Sequence, residues 1–131
     1  MAHPKKITSF QDLIVWQKGM DALDIVLEMT DSPPLSKKFW LCNQVGASAA
    51  SVPANIAEGH DNGTLKVYLK HLYYARGSLA ETLTYVAAIG RRKYTERVKL
   101  VKLWKLYREV GRMLNKLIDS LEKKLGSPPP E

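Results

Sequence analysis

Cysteine is almost absent. The single Cys42 cannot close an internal disulfide, and no two cysteines stand at metal-ligand spacing, so neither a disulfide scaffold nor a zinc module is expected. Long apolar runs are also missing. Nothing approaches the ~20 residues a membrane span needs, and the opening Met1-Ala2-His3-Pro4-Lys5-Lys6 lacks the apolar segment of a secretory signal. A reducing, cytoplasmic setting without a membrane partner is the expectation. Strand-like alternation of β-branched residues does not occur, which leaves an all-helical class.

The elements of enzymatic chemistry are equally scarce. Glycines stand singly, without the GxxxxGK[ST] or GxGxxG spacing that cradles phosphates. Di-iron bundles project Glu-x-x-His pairs inward, but His71 has Tyr68 three residues before it, His60 follows a helix end and His3 lies in an N-terminal arm. No metal and no cofactor is expected. Cys42 sits among Phe39, Trp40, Leu41 and Val45, apolar neighbours that disfavour a thiolate nucleophile. The chain therefore reads as a non-enzyme with no catalytic residues; an enzyme using Asn55, Glu58, Arg76 and Glu81 is the remaining alternative.

What is present is 131 residues with 45% hydrophobic and 25% charged side chains, enough to fold around one core. The expected organisation is a flexible arm over 1–8, one bundle domain over 9–125 and a Pro-rich disordered tail over 126–131. The net charge is +7 and unevenly placed. Residues 91–125 hold 12 Lys+Arg against 4 Asp+Glu, while the rest of the chain is nearly balanced. A localised excess makes a directed field suited to a polyanion, although a solvated Lys-rich helix produces the same pattern without a partner.

Four segments of helical period are separated by short breakers. The first opens at a Ser9-x-x-Asp12 capping box and stops at Asp31-Ser32-Pro33-Pro34, with Leu13, Trp16, Met20, Leu23 and Leu27 expected on the core stripe. A second row, Val15, Gly19, Ala22 and Val26, suggests either a wide stripe between two neighbours or an oligomer interface over Val15, Ala22 and Val26. The second segment is predicted from Lys37 to Glu58, with Ser36 as its cap, a kink before Pro53 and Gly59 as a left-handed stop. Its small residues, Gly46, Ala47, Ser48, Ala49, Ala50, Ser51 and Ala54, permit close approach of another helix.

The third segment is predicted from a Thr64 cap to Gly90, with Leu65, Leu69, Leu72, Leu79, Leu83 and Val86 inward. The fourth runs from Thr95 to Leu125 on a stripe of Leu100, Leu103, Tyr107, Val110, Leu114, Leu117, Leu121 and Leu125. Connections this short force neighbouring helices to run antiparallel, so the architecture is an up-down-up-down four-helix bundle.

Two polar constellations follow from the spacing. Gln44, Ser51, Asn55 and Glu58 on the second helix could meet Arg76, Ser78 and Glu81 on the third, as a structural network fixing register or as a ligand site. On the fourth, Lys102, Lys105, Arg108, Arg112, Lys116 and Lys123 recur opposite the leucine stripe, interrupted by Glu109 and Asp119. These six are the candidate nucleic-acid contacts, with RNA favoured as the partner. Trp104 flanks them, suited to stack on a base or to anchor a subunit interface.

The stretch Gln44-Val45-Gly46-Ala47-Ser48-Ala49-Ala50-Ser51-Val52-Pro53-Ala54-Asn55-Ile56-Ala57-Glu58-Gly59 resembles the hallmark of the bacterial four-helix bundle family named after 23S rRNA intervening sequences. Phe10-x-Asp12-Leu13-x-Val15-Trp16-Gln17-Lys18 and Ala75-Arg76-Gly77-Ser78-Leu79-x-Glu81-Thr82 resemble its other two signatures, in the expected order. The resemblance, over about residues 7 to 121, implies an antiparallel bundle assembling as a homopentamer, with Asn55, Glu58, Ser78 and Glu81 in structural positions and no catalytic residues carried over. Some members are encoded within inserts of ribosomal RNA genes. Related bundles are accessory variability proteins of diversity-generating retroelements, where a basic pentamer binds a reverse transcriptase and nucleic acid; a reverse transcriptase is thus the alternative partner. This chain departs from the family at Gly46 and Ala47, where basic residues are common.

Overall fold

The computed structural model describes residues 9–126; the arm expected over 1–8 and the tail beyond Gly126 lie outside the described residues. The Ser9 capping box forms, with Ser9 Oγ accepting from Gln11 N at 3.0 Å and Asp12 Oδ2 from Ser9 N at 3.3 Å, but it caps a 3-10 turn, Phe10–Asp12. Helix α1 (Ile14–Thr30) begins only after that turn. A second 3-10 turn, Leu35–Lys37, takes up Ser36, so α2 (Phe39–Asp61) starts behind Lys38 without a side-chain cap. Thr64 caps α3 (Leu65–Arg91) as expected, its Oγ1 accepting from Val67 N at 3.2 Å. Helix α4 (Arg97–Lys124) starts two residues after the expected Thr95, behind Glu96.

The helices form an antiparallel four-helix bundle in which α1 packs on α2 and α4, and α3 on α2 and α4. The helices therefore occupy the corners of a square, with α2 diagonal to α4. This arrangement places the face of α2 that points to solvent away from the corresponding face of α4.

Within α1 the two apolar rows exchange roles. Val15, Gly19, Ala22, Val26 and Met29 are buried, whereas Leu27 is 46% exposed and Trp16, Met20 and Leu23 are only partly covered. Val15, Ala22 and Val26 thus belong to the core of the chain itself and have almost no surface to offer another subunit. The reason is close packing: a Cβ on Gly19 would lie 3.6 Å from the Pro53 ring of α2, so the inward row must be small there. Helix α2 continues through Pro53, and its left-handed stop is Gly63 (φ 84°) rather than Gly59, which is helical and buried. Gly59 serves contact instead, since a Cβ there would meet His71 Cβ at 2.8 Å.

Leu72, Leu79 and Val86 of α3 are buried as expected, joined by Ala75, Thr82 and Ile89, while Leu65 is 40% exposed. In α4 the core stripe is Leu103, Tyr107, Val110, Leu114, Ile118 and Leu121; Leu100 and Leu117 are partly covered and Leu125 is exposed. Burying each large aliphatic side chain contributes ~1.5–3 kcal/mol. No described helix is long and apolar enough to cross a membrane.

Candidate nucleic-acid interface

Helix α4 has the strongest segregation of polar from apolar residues in the chain, and the leucine stripe orients it. At 3.6 residues per turn, Lys105, Arg112, Lys116 and Lys123 fall within about 40° of one another, opposite that stripe, with Arg108 and Lys102 on the two flanks. All six are exposed. None makes an ion pair with a carboxylate among the described residues, so their charges face solvent.

Glu109, which interrupts the row, is neutralised from outside the helix. Lys18 of α1 forms a salt bridge with it. The hydrogen bond and charge of Lys18, with a smaller pull from Arg112, hold the Glu109 carboxyl below the usual carboxylate range. Its proton is therefore absent at neutral pH and its charge is largely spent on Lys18. Asp119 stays exposed within the row. Trp104 is 42% exposed, and by helical phase it lies at the α3 edge of the face, beyond Arg108.

The second constellation forms between α2 and α3 as a ladder of hydrogen bonds. Tyr85 Oη donates to Gln44 Oε1 at 3.1 Å, the Ser48 and Thr82 hydroxyls lie 2.9 Å apart, and Ser78 Oγ donates to Ser51 Oγ at 2.9 Å. Asn55 Nδ2 donates to Ser51 Oγ at 3.0 Å, and Asn55 Oδ1 lies 3.0 Å from His71 Nδ1, itself 3.7 Å from Glu58. Glu81 is peripheral, 3.4 Å from Tyr85 Oη. Arg76 does not join: it lies on the other flank of α3, where its guanidinium donates to Asn115 Oδ1 of α4 at 3.2 Å and stands over the Tyr73 ring. Ser48, Thr82, His71 and Tyr85 are members that reading each helix separately missed. The signal for them is register, because each pair is nearly equidistant from the α2–α3 turn.

These rungs satisfy one another, and Asn55, Ser51 and Ser78 are only partly buried. Among the described residues no three His, Cys, Asp or Glu side chains gather where they could hold a metal ion. Burial, with a smaller contribution from Asp31, raises the Cys42 pKa, which disfavours a thiolate.

A family described as 23S rRNA-intervening sequence protein matches residues 11–116. A solved structure from Bacteroides thetaiotaomicron VPI-5482, described as a protein with unknown function from the S23 ribosomal protein family, superposes with a TM-score of 0.72 at 23% identity, covering 80% of this chain and 98% of that one. At that identity the likeness concerns the fold. No functionally curated protein matches.

Proposed function

This chain belongs to the 23S rRNA-intervening sequence protein family, and from that premise we propose that it is a non-enzymatic scaffold binding nucleic acid, RNA in the first place, through the outer face of α4. The observation that carries the reading is the row Lys102, Lys105, Arg108, Arg112, Lys116 and Lys123, exposed and without carboxylate partners among the described residues. Such a row neutralises phosphates and releases their counterions, a sequence-independent gain that falls steeply with salt. In a helix of 28 residues, ~42 Å at 1.5 Å per residue, it spans several phosphate spacings.

Assembly as a homopentamer, the state the family resemblance implies, belongs to the same proposal. Its support is the side of the bundle opposite α4. From Asn43 to Ala57 α2 contains no charged residue, and Ala47, Ala50 and Ala54 are exposed. On the neighbouring flank of α1, Trp16, Met20, Leu23 and Leu27 leave apolar surface uncovered. Subunits joined through this side would turn their α4 faces outward, multiplying the phosphate contacts of each assembly. Titration of the full chain against a structured RNA at rising salt tests the proposal. Binding at low salt that weakens as salt rises supports it; absent binding, or binding indifferent to salt, rejects it.

A further inference from the structure

One end of the bundle carries a charged and aromatic surface that the α4 row does not include. There the segments 31–38 and 91–97 lie side by side. Together they hold six Lys and Arg, all exposed, against two carboxylates, Asp31 and Glu96. Tyr94 ties the two segments together: Lys38 Nζ stands 5.1 Å from its ring centroid and the Arg92 guanidinium 5.9 Å. The hydrogen bond from Arg92, with the charges of both cations, holds the Tyr94 phenol below its ordinary pKa, as a local positive field would.

Within this cationic frame stand the two most exposed aromatic side chains of the described residues, Phe39 at 76% and Trp40 at 67%. Lys38, Phe39, Trp40, Leu41 and Tyr94 line a shallow recess of about 380 Å³. Trp40 is held rather than loose. Tyr85 meets it edge-to-face, ring centroids 6.1 Å apart at 87°, and Tyr85 is itself fixed by its hydrogen bond to Gln44. An indole ordered in this way loses little freedom when a second ring stacks on it.

We propose that this end of the bundle is a stacking site for unpaired bases of a single-stranded nucleic acid, with Trp40 and Phe39 as the platform and Arg91, Arg92 and Lys38 reaching the adjoining phosphates. Exposed aromatics beside cations are the two components of single-strand recognition: stacking is indifferent to base identity, and the cations track the backbone. A base paired within a duplex hides its face, so this site selects single strands where α4 does not. The same aromatics against an identical end of a second copy would bring two cationic frames together, which repel. The inference rests on the nucleic-acid reading of α4 and refines it.

The full chain is titrated with a short single-stranded oligoadenylate and, separately, with a blunt RNA duplex. Phe39→Ala/Trp40→Ala is expected to weaken oligoadenylate binding about tenfold or more, leaving duplex affinity and solution mass unchanged. Trp40→Tyr retains most of the single-strand affinity, and Arg91→Ala/Arg92→Ala lowers the salt slope by about 0.7 per contact. If the wild-type chain binds and the double aromatic variant loses nothing, or loses equally for single strand and duplex, the stacking site is wrong while the α4 reading survives. If the variant changes solution mass, the aromatics are a subunit contact and the inference is likewise wrong. If the wild-type chain binds neither probe, the α4 reading itself falls, and the stacking site with it.

Discussion

Gly59 sits where α3 comes nearest to α2. An added Cβ would stand 2.8 Å from His71 Cβ and 3.2 Å from the Tyr68 carbonyl oxygen, atoms close to backbone that cannot swing aside. Gly59→Ala is therefore expected to destabilise by ~1–3 kcal/mol despite the better helix propensity of alanine. Gly77, with nothing within 4 Å, is the control: Gly77→Ala should stabilise by ~0.5–1 kcal/mol, both changes being read from denaturant midpoints. Tyr107 has the opposite difficulty. Its ring is buried and its hydroxyl has no hydrogen-bond partner among the described residues. Burial raises its pKa above the ordinary value of 10.0. In the unfolded chain this phenol ionises near that value while in the folded chain it stays protonated, so its contribution to stability is present at lower pH and declines above about pH 10. Tyr107→Phe should match or exceed wild-type stability at pH 7, and its midpoint should fall less steeply at alkaline pH.

At the scale of elements, side-chain hydrogen bonds join α2 to α3 along a ladder. Ser48→Ala or Thr82→Val alone should cost ~0.5–1.5 kcal/mol, the net worth of one hydrogen bond, because the remaining hydroxyl keeps its own bond to a helix carbonyl, Thr82 to Ser78 and Ser48 to Val45, and the pair together should cost less than the sum. Additive losses in a double-mutant cycle would show that the rung carries no coupling. These elements also show what was legible in advance. The four helices, the Thr64 cap and most of the α4 stripe follow from period and capping chemistry. The inward face of α1 does not, because its largest apolar residues suggest Leu23 and Leu27 while the buried row contains Gly19, packed close to Pro53, and Ala22. Hydrophobic size and burial separate wherever helices approach closely. Arg76 escapes the spacing rule for a related reason: the pattern along α3 identifies its polar residues but not which neighbour each flank meets, and only the packing sends Arg76 to Asn115. The basic row needed no such knowledge, since the leucines opposite determine its direction.

For the molecule as a whole, the two exposed characters lie on diagonal corners: an uncharged, small-residue face on α2 and a cationic face on α4. Assembly through the first and polyanion binding through the second are then compatible, each leaving the other free. Light scattering on the full chain at micromolar concentration should give a pentameric mass, and Ala50→Lys/Ala54→Glu, which places charge on the outer face of α2, should reduce it; a monomeric wild-type chain would remove the proposed assembly. Nucleic-acid binding through α4 is the claim on which the functional reading depends. The direct measurement is the salt dependence of structured-RNA binding for the wild-type chain beside Lys105→Glu/Arg112→Glu/Lys116→Glu. A steep wild-type slope is predicted, and for the variant a loss of affinity at low salt with a slope shallower by about 0.7–0.9 per lost contact. Identical slopes and affinities for the two proteins would contradict it.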